Sequence, residues 1–119
     1  MIHQRINSAF VYAAVFIASC SSDSVNLSKV FKYDGSVQCE GTGVAVQVME
    51  RELTNAGIGV SCGQKSGDGY AYPALCGVST GMINVYTIDT RDLSMAENVG
   101  FESTATLPNY EDQACRPRT

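Results

Sequence analysis

Between residues 43 and 56, Val44, Val48, Met49, Leu53 and Ala56 recur at helical spacing, while Gln47, Glu50, Arg51 and Asn55 fill the opposite face. This pattern predicts a helix. Thr42 stands where it can cap the start, Gly57 where a left-handed residue ends a helix, and Ile58 where an apolar side chain can fold back on the last turn. A second helix repeats the device. Asp89 caps it with Asp92 three residues on, Leu93, Ala96 and Val99 form the stripe, and Gly100-Phe101 closes it.

Strand patterns surround these helices. Residues 58–62 place Ile58, Val60 and Cys62 on one face, and residues 82–88 are dense in β-forming side chains. Residues 29–33 and 36–39 supply an opening strand or hairpin, and residues 101–107 alternate well enough to close the sheet. The order βαββαβ predicts an α+β domain with two helices packed on one face of a small antiparallel sheet, in the ferredoxin-like arrangement and stapled by disulfides. Another small α+β topology built from the same elements is the alternative. Residues 63–81, with Gly63, Gly67, Gly69, Gly77, Gly81 and Pro73, read as an irregular loop that turns at Gly67-Asp68-Gly69.

The chain starts differently. After Arg5, residues 9–18 form an unbroken apolar run whose last two residues open the segment Ile17-Ala18-Ser19-Cys20. These residues resemble the lipobox of bacterial lipoproteins: a branched aliphatic residue, two small ones and a cysteine. Ile17 stands where leucine is commoner, and the basic region holds a single arginine. The resemblance implies a signal peptide over residues 1–19, lipidation of Cys20, a tether over residues 20–28, a domain over residues 29–107 and a C-terminal tail over residues 108–119. A transmembrane anchor is the weaker reading, because spanning a bilayer takes roughly 20 apolar residues and this run is about half that. An ordinary secretory signal cut near the same place would leave Cys20 as a spare thiol. By analogy with lipoproteins of enteric bacteria, Ser21 after the cysteine points to an outer-membrane protein facing the periplasm.

Composition now narrows the chemistry. Loss of Arg5 with the signal leaves seven of the eight basic residues against twelve acidic ones, a net charge of about −5. The charges are scattered, which argues against a nucleic-acid partner and leaves the N-terminal lipid as the route to a membrane. His3, the only histidine, lies in the signal segment. Without an imidazole, hydrolase triads of the usual kind and histidine-ligated zinc sites are out of reach, so neither an enzyme nor a cofactor is expected. Acid pairs Glu50 with Glu52 and Asp89 with Asp92 read as a solvated face and a cap. Gly41-Thr42-Gly43 has the look of a phosphate loop, but Val46 replaces the third glycine of a dinucleotide fingerprint and Glu40 adds a negative charge, so cap glycines are the simpler reading.

With Cys20 assigned to lipid, Cys39, Cys62, Cys76 and Cys115 form an even set with three pairings. They lack a C-x-x-C pair and match no zinc-module spacing, so structural disulfides of an oxidising compartment are preferred to a metal site. The first choice is Cys62 with Cys76, closing the long loop, and Cys39 with Cys115, tying down the tail. The rival is Cys39 with Cys76 and Cys62 with Cys115.

A second resemblance covers most of residues 33–101. The motifs Tyr33-Asp34-Gly35-Ser36-Val37-Gln38-Cys39, Ala56-Gly57-Ile58, Cys76-Gly77, Thr80-Gly81, Ile83-Asn84-Val85 and Gly100-Phe101 resemble small exported proteins of proteobacteria. These motifs are mainly glycines and cysteines, so they speak to fold. For function, Tyr70, Tyr72, Pro73 and Leu75 in the long loop are the candidate contacts with a partner, because loop aromatics anchor protein interfaces. The expectation is a non-enzymatic, lipid-anchored envelope protein that binds another envelope component. A thiol-based metal-binding or redox protein is the alternative, and a protease inhibitor using the long loop is a third reading.

Overall fold

The computed structural model describes residues 26–115. Cys20, the expected signal segment before it and most of the expected tether lie outside these residues. Strand β1 (Leu27–Tyr33) leads to helix α1 (Val46–Thr54), strands β2 (Val60–Gly67) and β3 (Met82–Asp89), helix α2 (Leu93–Asn98) and the short strand β4 (Glu102–Ser103). One-turn 3-10 segments, Thr90–Asp92 and Thr104–Thr106, precede α2 and follow β4. The chain is therefore α+β, with a four-stranded sheet in the order β2-β3-β1-β4 and antiparallel pairing throughout. No described helix is long and apolar enough to cross a membrane.

Both helix ends follow the sequence signals. Gly57 and Gly100 take positive φ angles of 84° and 99°. The Ile58 N–H then returns to the Leu53 carbonyl at 3.1 Å, and the Phe101 N–H to the Ala96 carbonyl at 3.0 Å. Each return satisfies a carbonyl that the helix end would leave open, and it drops the next apolar side chain into the core. The start of α1 differs from expectation. Its N-cap is Ala45, without a side-chain hydrogen bond, and residues 43–45 stay extended. The reason lies beneath them: the Val44 N–H bonds the Asp34 carbonyl at 2.8 Å, and a Cβ on Gly43 would fall 2.3 Å from that oxygen. Asp89 does cap the turn before α2, accepting from the Arg91 N–H at 3.0 Å.

The core has two parts. Val30, Tyr86 and Ile88 gather with Met49 and Leu53 of α1, Ala96 of α2, Ile58 and Phe101. Neighbouring positions of the same strands, Phe31, Ile83 and Val85, form a second cluster with Leu107 and the half-buried Tyr110. Because successive strand residues point to opposite faces, these are the two sides of one sheet. Met49, Leu53 and Ala96 of the helices belong to the first cluster, and Leu107 and Tyr110, in the segment after β4, to the second. That segment is held by an ion pair between Lys29 and Asp112, by Lys29 Nζ donating to the Gln113 carbonyl at 2.7 Å, and by Gln64 Nε2 donating to the same carbonyl at 3.2 Å.

Several expected boundaries move as a result. β1 begins at Leu27, inside the expected tether. Residues 36–39 form no strand and contribute one bridge, Val37 with Ser79. β4 stops after two residues because the Ser103 hydroxyl caps the Ala105 N–H and turns the chain. Leu107 and Tyr110 then pack on the second cluster, which makes residues 108–115 of the expected tail a strap over it, tied by Cys62 and not by Cys39. β2 runs on to Gly67, which leaves only residues 68–81 as the loop.

The disulfides follow the rival pairing: Cys39 with Cys76, Cα atoms 5.1 Å apart, and Cys62 with Cys115, at 6.1 Å. A bulge explains the second pair. Val60 lies opposite Ile88, yet Cys62 lies opposite the next residue of β3, Thr87. The extra residue, Ser61, turns Cys62 away from the helix side, where Val60 and Ile58 pack, to the side crossed by the strap. Length explains the first pair. From Cys62 the strand continues for five residues, about 16 Å of rise, before the loop starts. Cys62 and Cys76 therefore belong to opposite ends of the sheet, while Cys39 shares the end of Cys76.

Candidate functional site

The loop of residues 68–81 stands on a buried carboxylate. Asp68 is 2 % exposed, and its Oδ2 accepts the hydroxyls of Tyr33, at 2.9 Å, and Tyr72. Its Oδ1 accepts the Tyr70 N–H at 2.9 Å, and its own N–H bonds the Gly81 carbonyl at 3.0 Å. Gly81 has φ of 73°, and a Cβ there would lie 2.4 Å from the Tyr72 ring. The tyrosines respond electrostatically. Burial and the Asp68 carboxylate raise Tyr33 far above the ordinary tyrosine value, and the hydrogen bond to Asp68 with partial burial raises Tyr72.

A second carboxylate braces the approach to the loop. Asp34, 4 % exposed, accepts the Ser36 N–H at 2.8 Å, the Ser36 hydroxyl at 2.6 Å and Lys65 Nζ at 2.7 Å. Lys65 also reaches the Val44 carbonyl at 3.1 Å. Burial alone would raise the Asp34 carboxyl; the hydrogen bonds from Lys65 and Ser36 outweigh it and hold the group below the ordinary carboxylate value. Ser36 then meets the Thr80 hydroxyl at 2.5 Å, and Thr80 accepts the Met82 N–H at 3.1 Å where β3 begins. The Gly41-Thr42-Gly43 segment is pressed onto this carboxylate, since a Cβ on Gly43 would lie 2.6 Å from Asp34 Oδ1. An anion would meet negative charge there.

Gln38 clamps the outer part of the loop. Its side chain donates to the carbonyls of Pro73, at 2.9 Å, and Ser79, at 3.2 Å, and accepts the Leu75 N–H at 3.0 Å. Its backbone bonds the Val78 carbonyl at 2.9 Å and the Gly77 N–H at 3.1 Å. The neighbouring Cys39–Cys76 disulfide closes the same contact covalently.

The four loop residues singled out in the sequence divide into two roles. Tyr70 and Leu75 are 47 % and 61 % exposed, and Pro73 is exposed beside them. Tyr72 is half-buried and spends its hydroxyl on Asp68, so it supports the loop. Tyr33, 42 % exposed on the end of β1, was not among the expected contacts; its hydroxyl shares Asp68 with that of Tyr72. Asp68 itself was legible as an acid between two glycines, but its burial was not.

The other groups weighed for chemistry are engaged elsewhere. Glu52 pairs with Lys32 at 2.8 Å, and Asp89 with Arg91 Nε at 3.1 Å. Among the described residues no three His, Cys, Asp or Glu side chains come together as a metal site. An open groove of about 720 Å³ lies on the strap side, bordered by Leu27, Lys29, Thr87, Leu107 and Tyr110, away from the loop. Comparison with protein-family models, curated proteins and solved structures finds no match for this chain.

Proposed function

We propose that the protein is a small lipid-anchored component of the bacterial cell envelope that docks a second envelope protein through its 68–81 loop. In this reading Cys20 carries the lipid, the domain is a ferredoxin-like sandwich whose helices share one face, and it faces the periplasm from the outer membrane. The strand order β2-β3-β1-β4 supports the ferredoxin-like assignment, because a βαββαβ chain with that order has β1 and β3 at the centre of the sheet.

The observation that carries the docking proposal is the contrast within the loop. Tyr70 and Leu75 project exposed apolar surface, yet the backbone that bears them is fixed by Asp68, by Gln38 and by a disulfide. A prepared loop gives up little conformational freedom on binding, so more of its contact energy appears as affinity. Tyr72 belongs to the support and not to the contact.

The test uses a photo-cross-linking residue at position 70 or 75 in cells, with position 97 on α2 as the control. The proposal expects a discrete adduct from 70 and 75 alone, lost on Tyr70→Ser with Leu75→Ser while the thermal melt is kept. Equal labelling from position 97, or an adduct that survives the double substitution, would overturn it. The anchor is tested separately by labelling with a palmitate analogue, expected to disappear on Cys20→Ala.

A further inference from the structure

The two disulfides sit in different settings. Cys62 and Cys115 are half-buried and fasten the strap to the sheet, whereas Cys39 and Cys76 are both exposed at the surface. Cys39 also has a φ of 72°, the only positive φ among described residues other than glycine. That region crowds a Cβ against the backbone, so a cysteine stays there only while its surroundings impose it. Gly41 and Gly77 lie close by in the chain, and a Cβ at either would meet no atom within 4 Å.

What imposes this geometry does not depend on the sulfur–sulfur bond. Gln38, next to Cys39, holds both sides of Cys76 through Leu75, Gly77 and Val78, and reaches on to Pro73 and Ser79. After reduction these hydrogen bonds would keep the two thiols facing each other. Exposed disulfides are the readily exchanged ones, and thiols kept together reclose at a high effective concentration.

We infer that Cys39–Cys76 is a thiol–disulfide exchange site, with a dithiol-bearing protein of the envelope as its co-reactant. A thiolate of the dithiol attacks one sulfur of the pair, forming a mixed disulfide and releasing the other cysteine as a thiolate that takes a proton from water. The second thiol of the co-reactant loses its proton and attacks the co-reactant's own sulfur in the mixed disulfide, breaking that bond and releasing the remaining cysteine as a thiolate that is protonated in turn. Cys39 and Cys76 thus gain two electrons and two protons, and the co-reactant leaves as a disulfide. The reverse sequence oxidises the pair. The exchange chemistry does not require docking by Tyr70 and Leu75; it needs only the exposed pair and its clamp.

The experiment titrates the native protein with dithiothreitol, quenches with an alkylating agent and reads each cysteine by peptide mass spectrometry. Cys39 and Cys76 should become labelled together at reductant concentrations at least tenfold below those that label Cys62 and Cys115. Simultaneous opening of both bonds, or earlier opening of Cys62–Cys115, would overturn the assignment. The reduced pair is then reoxidised with oxidised glutathione. Reclosure without change in the circular dichroism spectrum is expected, and Gln38→Ala should slow it several-fold. Reclosure equally fast in the variant would overturn the role of the clamp in holding the pair ready.

Discussion

The two sides of the sheet are covered by different means. On one side, α1 and α2 bring Met49, Leu53 and Ala96 onto Val30, Tyr86 and Ile88. The Tyr86 hydroxyl even bonds the Val46 carbonyl of α1 at 2.6 Å. On the other side, a strap without a long element of its own lays Leu107 and Tyr110 over Phe31, Ile83 and Val85. A helix satisfies its backbone internally and can be held by burial alone, whereas an irregular segment has to find its partners one by one. Lys29, Gln64 and Cys62 are those partners here. The helix side therefore carries most of the stability, and the strap side depends on its disulfide.

The largest effect should follow from Leu53→Ala, which empties a fully buried position between α1 and the sheet. Loss of a leucine at such a site costs about 2–5 kcal/mol, enough to lower the midpoint of a urea transition severely in a domain of this size. Replacing Cys62 and Cys115 by serine should come next, at about 2–4 kcal/mol, because the link closes a sequence separation of 53 residues. The two substitutions should also differ in kind. Without the disulfide, limited proteolysis should cut within residues 104–115 while the rest of the chain stays resistant; cleavage spread evenly through the domain would break the proposed division between the sides. Leu107→Ala, at a position that retains 8 % exposure, should fall at the low end, about 2 kcal/mol.

Alkaline unfolding sharpens the same comparison at the loop end of the sheet. Tyr33 and Tyr72 have ionisation raised above the ordinary value of 10.0, so the unfolded chain releases their protons first. Their stabilisation is fully present below pH 10 and is lost as the pH climbs through the folded values. Tyr33→Phe should flatten the fall in thermal midpoint above pH 10, and an unchanged slope would remove Tyr33 from the account. Asp34 acts at the other extreme. Its carboxyl is held below 3.8, so its contribution is present above that pH and disappears as acidification passes the folded value.

Much of this architecture can be read from the chain, and the exceptions have physical causes. Gly57-Ile58 and Gly100-Phe101 announce their helix ends because the requirement is local: a left-handed residue followed by an apolar one. The four antiparallel strands are legible in outline from another local pattern, two-residue alternation and β-forming side chains. The second covered side had one signal, in β3, where Ile83 and Val85 alternate with Tyr86 and Ile88 so that both sides of the strand are apolar. Such a strand is buried twice. The cysteine pairing was hidden by a single bulge at Ser61, which no periodicity marks and which reverses the direction of Cys62. At the candidate site, Tyr70, Pro73 and Leu75 are visible as loop residues of the right chemistry. The separation of Tyr72 from them, and the addition of Tyr33, depend on the burial of Asp68, a long-range consequence of β2 extending to Gly67.

The smallest predicted effect comes from one ion pair on each side. Lys32 of β1 reaches Glu52 of α1 on the helix side, with both side chains well exposed at 36 % and 43 %. Lys29, three residues earlier on β1 and so on the opposite side, pairs with Asp112 and also bonds the Gln113 carbonyl. Exposed pairs are worth about 0–1 kcal/mol and fade with salt. Lys32→Met should therefore cost no more than about 0.5–1 kcal/mol, since it removes only that exposed pair and the ammonium's contact with Phe101, whose ring centre lies 5.6 Å from Lys32 Nζ. Lys29→Met should cost about 1 kcal/mol, because it removes two partners of an irregular segment that has few. The decisive measurement is amide exchange in residues 110–115 at low and high salt. Faster exchange there in Lys29→Met but not in Lys32→Met, with the gap closing at high salt, is the outcome expected if the strap is held by discrete contacts. Equal exchange in the two variants would mean that Leu107, Tyr110 and the disulfide hold it unaided.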